Sequence, residues 1–128
     1  MAKTIVRAPE AGTPVGPYSQ AVEANGWIFV SAEKGVDPST GKIVEGGVPA
    51  QTEQTLQNIS TILGAAGASL RDVVRCVVYL TDINQFAAMN EVYSRYFPEN
   101  PPARTTVQAA ALPLGLQVMI EATALRAG

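Results

Sequence analysis

The chain has 128 residues, 47% apolar and 16% charged, with a formal net charge of −2, one cysteine and no histidine. That length makes one domain, residues 1–128, whose single core suffices without cross-links; an intramolecular disulfide, Cys/His zinc sites, Ser-His-Asp triads and Cys-His pairs are all excluded. The negative balance offers no attraction to nucleic acid or anionic lipid, and a charge content below the roughly 25% of an average soluble domain points to a second buried surface in an oligomer.

Residues 1–7 lack the apolar run of a signal peptide, and no stretch approaches the roughly 18 uninterrupted apolar residues of a membrane span, so a cytoplasmic location without membrane contact is expected. Residues 3–7 read as a short strand, followed by a loop rich in Pro, Gly and Ala that ends at Gly16-Pro17. Residues 18–24 and 27–33 read as strands, and Asn25-Gly26 between them is a strong hairpin signal. Residues 35–47 are turn-rich. Pro49 then opens a helix with Leu56, Ile59, Leu63 and Ala66 as its apolar stripe, Gln51, Glu53, Gln54, Gln57 and Asn58 as its wet face, and Gly67 as its stop.

Residues 73–81 are β-branched and read as a strand. A second amphipathic helix over 83–97 carries Phe86, Met89, Tyr93 and Tyr96, and Pro98, Pro101 and Pro102 end it. The last two strands, 104–110 and 116–125, flank a turn at Pro113 and Gly115 and read as a closing hairpin. This order predicts an α+β fold, a largely antiparallel sheet with two helices on one face.

Period two sorts the strand residues by face. Leu116, Val118, Ile120, Ala122 and Ala124 form an apolar face fit to lie under helices, and Gln117, Met119, Glu121, Thr123 and Leu125 form a mixed one. Arg104, Thr106 and Gln108 share a face, as do Trp27, Phe29, Ser31 and Glu33. Such mixed faces suit cover by another subunit, or half-solvation. Among them Arg104 is a permanent planar cation suited to a carboxylate ligand, or to an ion pair with Glu121 or Glu33. Ser31 and Thr106 are strand hydroxyls, Tyr18 is a pocket wall or a loop anchor, and Cys76 is a buried structural thiol. Periodicity alone selects no function from this set.

The chain contains, in order, Gly16-Pro17-Tyr18-Ser19-Gln20-Ala21; Val30-Ser31 and the turn Asp37-Pro38-Ser39-Thr40-Gly41; Gln51, Gln54, Leu56 and Asn58; Asn84 and Phe86 with Asn90 and Tyr93; Pro102-Ala103-Arg104-Thr105; and Leu112-Pro113 leading into Ile120-Glu121-Ala122. At these residues it resembles the RidA/YjgF family of imine deaminases. The resemblance implies a chorismate-mutase-like fold and a homotrimer whose sheets face an inner barrel, with helices outside and clefts between subunits. It also implies metal-free and cofactor-free hydrolysis of 2-imino acids, or enamines such as 2-aminoacrylate and 2-aminocrotonate, to 2-keto acids and ammonia. That is a damage-control reaction on intermediates released by PLP-dependent dehydratases.

The resemblance further implies that Arg104 grips the substrate carboxylate, that Tyr18 and Asn90 line the cleft, that the Ser31 hydroxyl points into it, and that the backbone at Thr106 touches the ligand. Three residues depart from the family pattern. Ser31-Ala32-Glu33 replaces Ser-Gly-Gln, Thr106 stands where a cysteine is common, and Met119 stands where a glutamate orients the attacking water. Two carboxylates are candidates to replace it: Glu121, about 7 Å further along the strand at ~3.4 Å per residue, and Glu33, on the face assigned to Ser31. The expected function is therefore imine deamination, with altered or reduced activity, and the alternative is a non-catalytic protein that binds carboxylate metabolites. A ribonuclease role is disfavoured by the negative charge and the missing histidines.

Overall fold

Residues 2–127 are described by the structure, a computed structural model. Asn25 and Gly26, at φ 54° and 83°, close the predicted hairpin between β2 (Ala21–Ala24) and β3 (Trp27–Lys34), and β1 (Thr4–Val6) adds antiparallel to β2. A two-stranded ladder of β4 (Val36–Asp37) and β5 (Lys42–Ile43) precedes α1 (Gly47–Ala65). Then come β6 (Val73–Leu80), α2 (Phe86–Tyr96), β7 (Ala103–Gln108) and β8 (Val118–Leu125). The main sheet runs β1-β2-β3-β8-β6-β7, with both helices packed on it, as the α+β reading expects.

The closing hairpin does not form. β8 inserts antiparallel between β3 and β6, whereas β7 lies parallel to β6 at the sheet edge. The cause is the crossover: β6, α2 and β7 form one β-α-β unit, and a parallel partner needs such a connection. β8 takes a central place because its face of Val118, Ile120, Ala122 and Ala124 is buried throughout. The expected strand over 18–24 also starts late, at Ala21. Tyr18 therefore belongs to the preceding loop, which the buried Gln20 pins: Ala8 N donates to its Oε1 at 2.7 Å, and its Nε2 donates to Ala8 O at 2.9 Å and Gly12 O at 2.5 Å.

The wet face assigned to the first helix needs a second correction, because Gln51 and Asn58 are buried. Asn58 Nδ2 donates to the carbonyls of Lys34 (3.1 Å) and Val36 (3.0 Å), and Gln51 Oε1 accepts from Gln117 N at 2.9 Å. These amides satisfy backbone groups where β3 leaves the sheet, an obligation that hydropathy does not reveal. Between them the chain passes so close to α1 that a Cβ on Gly35 would stand 2.6 Å from Gln51 Cα and 2.7 Å from its carbonyl oxygen. Gly35→Ala must therefore push the helix off the strand. We expect a loss of about 1–3 kcal/mol, read as a lower denaturant midpoint with an unchanged slope; an unshifted midpoint contradicts the close approach.

Candidate active site

The register of β3 on β8 decides which side chains meet. Val30 aligns with Ala122 and Glu33 with Ile120, so β3 holds one more residue than its partner over this step. This β-bulge keeps Ser31 and Ala32 on the side away from the helices, turns Glu33 to the core side with Ile120, and returns Lys34 to the outer side opposite Met119. The expectation that Glu33 shares the face of Ser31 is thereby corrected: the alternation holds to residue 31 and shifts by one after it. Glu33 is buried, and burial pushes its carboxyl up to about 7, with the neighbouring Lys34 charge countering only in part.

On the outer side lies a cavity of about 260 Å³ walled by Val15, Tyr18, Ser31, Lys34, Leu114 and Met119. Its hydroxyls are held in place, since Ser31 Oγ donates to Ser19 O at 2.7 Å and Tyr18 Oη accepts from Val15 N at 3.3 Å. Glu121 lies further along the same outer face, engaged with Tyr79, whose hydroxyl donates to it at 2.5 Å.

Arg104 belongs elsewhere. In the parallel register Arg104 aligns with Cys76 and Thr106 with Val78, both core residues, so Arg104 and Thr106 point to the helix side. The guanidinium carbon sits 4.7 Å from the Tyr93 ring centroid and 5.5 Å from that of Phe86, so two aromatic rings of α2 flank the cation. Of the two ion-pair partners expected for it, Glu121 is on the opposite face and Glu33 is three strands away. Among the described residues Arg104 forms no ion pair.

A second cavity, of about 500 Å³, opens here between Asn90, Tyr93, Ser94, Phe97, Pro102 and Arg104. Asn90 Oδ1 and Tyr93 Oη are buried and have no hydrogen-bond partner among the described residues. Burial pushes both the Cys76 thiol and the Tyr93 hydroxyl up, so neither is an anion at neutral pH and the thiol is a poor nucleophile.

The candidate residues thus fall into two groups: Arg104, Asn90 and Thr106 on the helix side, and Tyr18 and Ser31 with Met119 on the other. Within one chain the two are separated by the sheet itself and by three strand spacings, roughly 14 Å. The sequence reading set Arg104 and Thr106 on the covered mixed face of the sheet, which the register corrects, and it did not single out two cavity residues. Lys34 is hidden by the bulge, for which nothing local in the sequence is a marker. Tyr93, read as part of an apolar stripe, is a wall of the Arg104 cavity. Among the described residues no cluster of His, Cys, Asp or Glu could hold a metal ion, and no helix is long and apolar enough to cross a membrane.

Comparison with known proteins gives a consistent picture. Residues 8–126 match the model of a family described as endoribonuclease L-PSP. The chain is 48% identical over 126 residues to a RutC family protein of Pyrococcus abyssi, covering 98% of this chain and 99% of that one. It is 44% identical over 124 residues to a human 2-iminobutanoate/2-iminopropanoate deaminase, covering 97% and 90%. The crystal structure of E. coli TdcF with bound serine superposes with a TM-score of 0.92 at 37% identity, covering 97% of this chain and 99% of that one.

Proposed function

The chain belongs to the endoribonuclease L-PSP family, the RidA/YjgF proteins, and from that premise we propose that it hydrolyses 2-imino acids and their enamine tautomers to 2-keto acids and ammonia. The observation that carries this reading is the guanidinium of Arg104, which among the described residues has no ion pair, is flanked by two rings and lines a cavity with a buried Asn90 amide oxygen that likewise has no partner among them. Arg104 grips the substrate carboxylate at two points, which places the C=N carbon. Asn90 Oδ1 accepts the N–H of the imine, filling an acceptor that is otherwise costly to bury. Water adds to the C=N carbon, the nitrogen takes up a proton, and the C–N bond breaks as the carbonyl forms, releasing ammonia. An imine of this kind is already electrophilic, so positioning and charge supply what a stronger nucleophile otherwise would.

Tyr18 and Ser31 join this site when the Arg104 cavity of one copy faces the Tyr18 cavity of the next, as a trimer with clefts between subunits would arrange. Supporting that assembly, Trp27, Phe29, Val107 and Leu125 are all exposed on the strands in a single chain, and they share the sheet face away from the helices. Trp27 lies directly across from Leu125 with Phe29 two residues on, and exposed apolar clusters of this sort mark interaction surfaces. We expect a solution mass of three chains by light scattering; a monomer that still turns over substrate contradicts the shared cleft. The partner of the protein is then a small cytoplasmic acid and not a nucleic acid, in keeping with the net charge of −2.

A second reading has one observation in its favour. Met119 walls the Tyr18 cavity, and a thioether cannot orient a water as a carboxylate does. On that reading the protein holds 2-keto or short-chain acids without turning anything over. Stabilisation by 2-ketobutyrate in a thermal melt, with ammonia released from freshly generated 2-aminoacrylate no faster than without protein, selects it. Release faster than the uncatalysed rate selects the deaminase.

A further inference from the structure

We infer that Lys34 is the seat of a second acid group of the ligand, so that the preferred substrates are 2-imino acids bearing a carboxylate on the side chain; the assignment of the first carboxylate to Arg104 rests on the deaminase reading. Lys34 is only 7% exposed, yet among the described residues its ammonium takes part in no ion pair and no side-chain hydrogen bond. The stem of Lys34 is packed away while its Nζ is not among the fully buried unpartnered atoms, so the charge is left at the surface of the cavity, where an anionic ligand can meet it. Glu33 feels the Lys34 charge from the neighbouring position, but among the described residues no carboxylate stands within ion-pair distance of the ammonium. Met119 lies directly across the strand pair, Val15, Pro113 and Leu114 complete the apolar wall, and the adjacent Glu33 is turned to the other side of the sheet by the bulge.

What remains open to Lys34 is the cavity it lines with Tyr18 and Ser31. The site is also rigid. The Lys34 carbonyl is held by Asn58, the Ser31 hydroxyl by Ser19, and the loop bearing Tyr18 by Gln20. Three ammonium protons facing a preformed, mostly apolar pocket match a carboxylate, which would be held by charge-assisted hydrogen bonds in a low dielectric. Had the facing residue been an acid, it would have neutralised Lys34 internally; the methionine leaves the charge for the ligand.

Two five-carbon product analogues that differ only in a terminal carboxylate, 2-oxopentanoate and 2-oxopentanedioate, test this by isothermal titration. The wild-type protein is expected to bind the dioate at least about 10-fold more tightly, the scale of one hydrogen bond to a charged group. Lys34→Met is expected to bring that ratio below about 2-fold, and Lys34→Arg to preserve it. Equal affinities in the wild type, or a preference that survives Lys34→Met, overturn the assignment. If Lys34→Met fails to fold, Met119→Glu supplies an internal counter-charge and should abolish the preference; its persistence there also overturns the assignment. Titration reads binding and not turnover, so an absence of ammonia release counts against the deaminase reading alone.

Discussion

Arg104→Ala is expected to lower ammonia release from freshly generated 2-aminoacrylate by at least about 100-fold while leaving the protein folded and nearly as stable. The two halves of that expectation have different causes. Arg104 is half-buried on the edge strand and has no ion pair among the described residues, so its removal orphans no carboxylate and forfeits little beyond packing on Tyr93 and Phe86, about 0.5–1 kcal/mol for a cation over a ring at an exposed site. In the proposed reaction, by contrast, the same group would fix the substrate through two charge-assisted bonds of about 1.5–3 kcal/mol each, and about 2.7 kcal/mol is already a factor of 100 in rate. Arg104→Lys keeps the charge and loses the planar fork, and should fall between the two. Steady-state assays beside thermal melts decide the matter. Wild-type turnover in Arg104→Ala removes the guanidinium from the mechanism, and turnover in neither protein removes the deaminase assignment.

Which parts of this arrangement were legible in the sequence follows from which forces are local. The hairpin at Asn25-Gly26, the apolar stripe of α1 and the buried face of β8 depend on residues within a few positions of one another, and each appears in the structure where propensity and period place it. Three features depend on what lies across the chain. Gln51 and Asn58 read as surface polar residues because their partners, the backbone of residues 34, 36 and 117, are distant in sequence. The position of β7 beside β6 follows from the helical crossover, whereas hydropathy alone made a hairpin with β8 the simpler choice. Last, the bulge after Val30 inverts the alternation for Glu33 and Lys34, and no residue there announces it. The motif resemblance supplied the identities of Arg104, Tyr18 and Asn90 but not their distribution over opposite faces of one sheet, which is a property of the register.

That inverted alternation also changes what Glu33 does, and Glu33→Gln is expected to alter stability and not turnover. With Glu33 facing the core beside Ile120, its carboxyl is pushed from the ordinary 4.5 up to about 7 by burial. The folded chain therefore holds this proton more tightly than the unfolded chain does. The contribution to stability is fully present below about pH 4.5 and is lost as pH rises through 7. At about 1.4 kcal/mol per pH unit of displacement, the loss amounts to about 3 kcal/mol between pH 4.5 and pH 8.

The amide in Glu33→Gln has nearly the same shape and no charge to bury. Denaturant unfolding should therefore show the variant close to wild type at pH 4.5 and up to about 3 kcal/mol more stable at pH 8. Asp37, whose carboxyl is held low by hydrogen bonds from the Ser39 hydroxyl and backbone N–H, acts at more acid pH and is common to both proteins, so it cancels in the comparison. Parallel pH profiles would exclude the buried carboxyl. A variant that keeps its stability profile but loses turnover would return Glu33 to the cleft and require the strand to run without its bulge. If instead stability separates at high pH while ammonia release persists, the carboxylate missing at Met119 has no substitute in Glu33, and the orientation of water falls to the groups that do face the cavity.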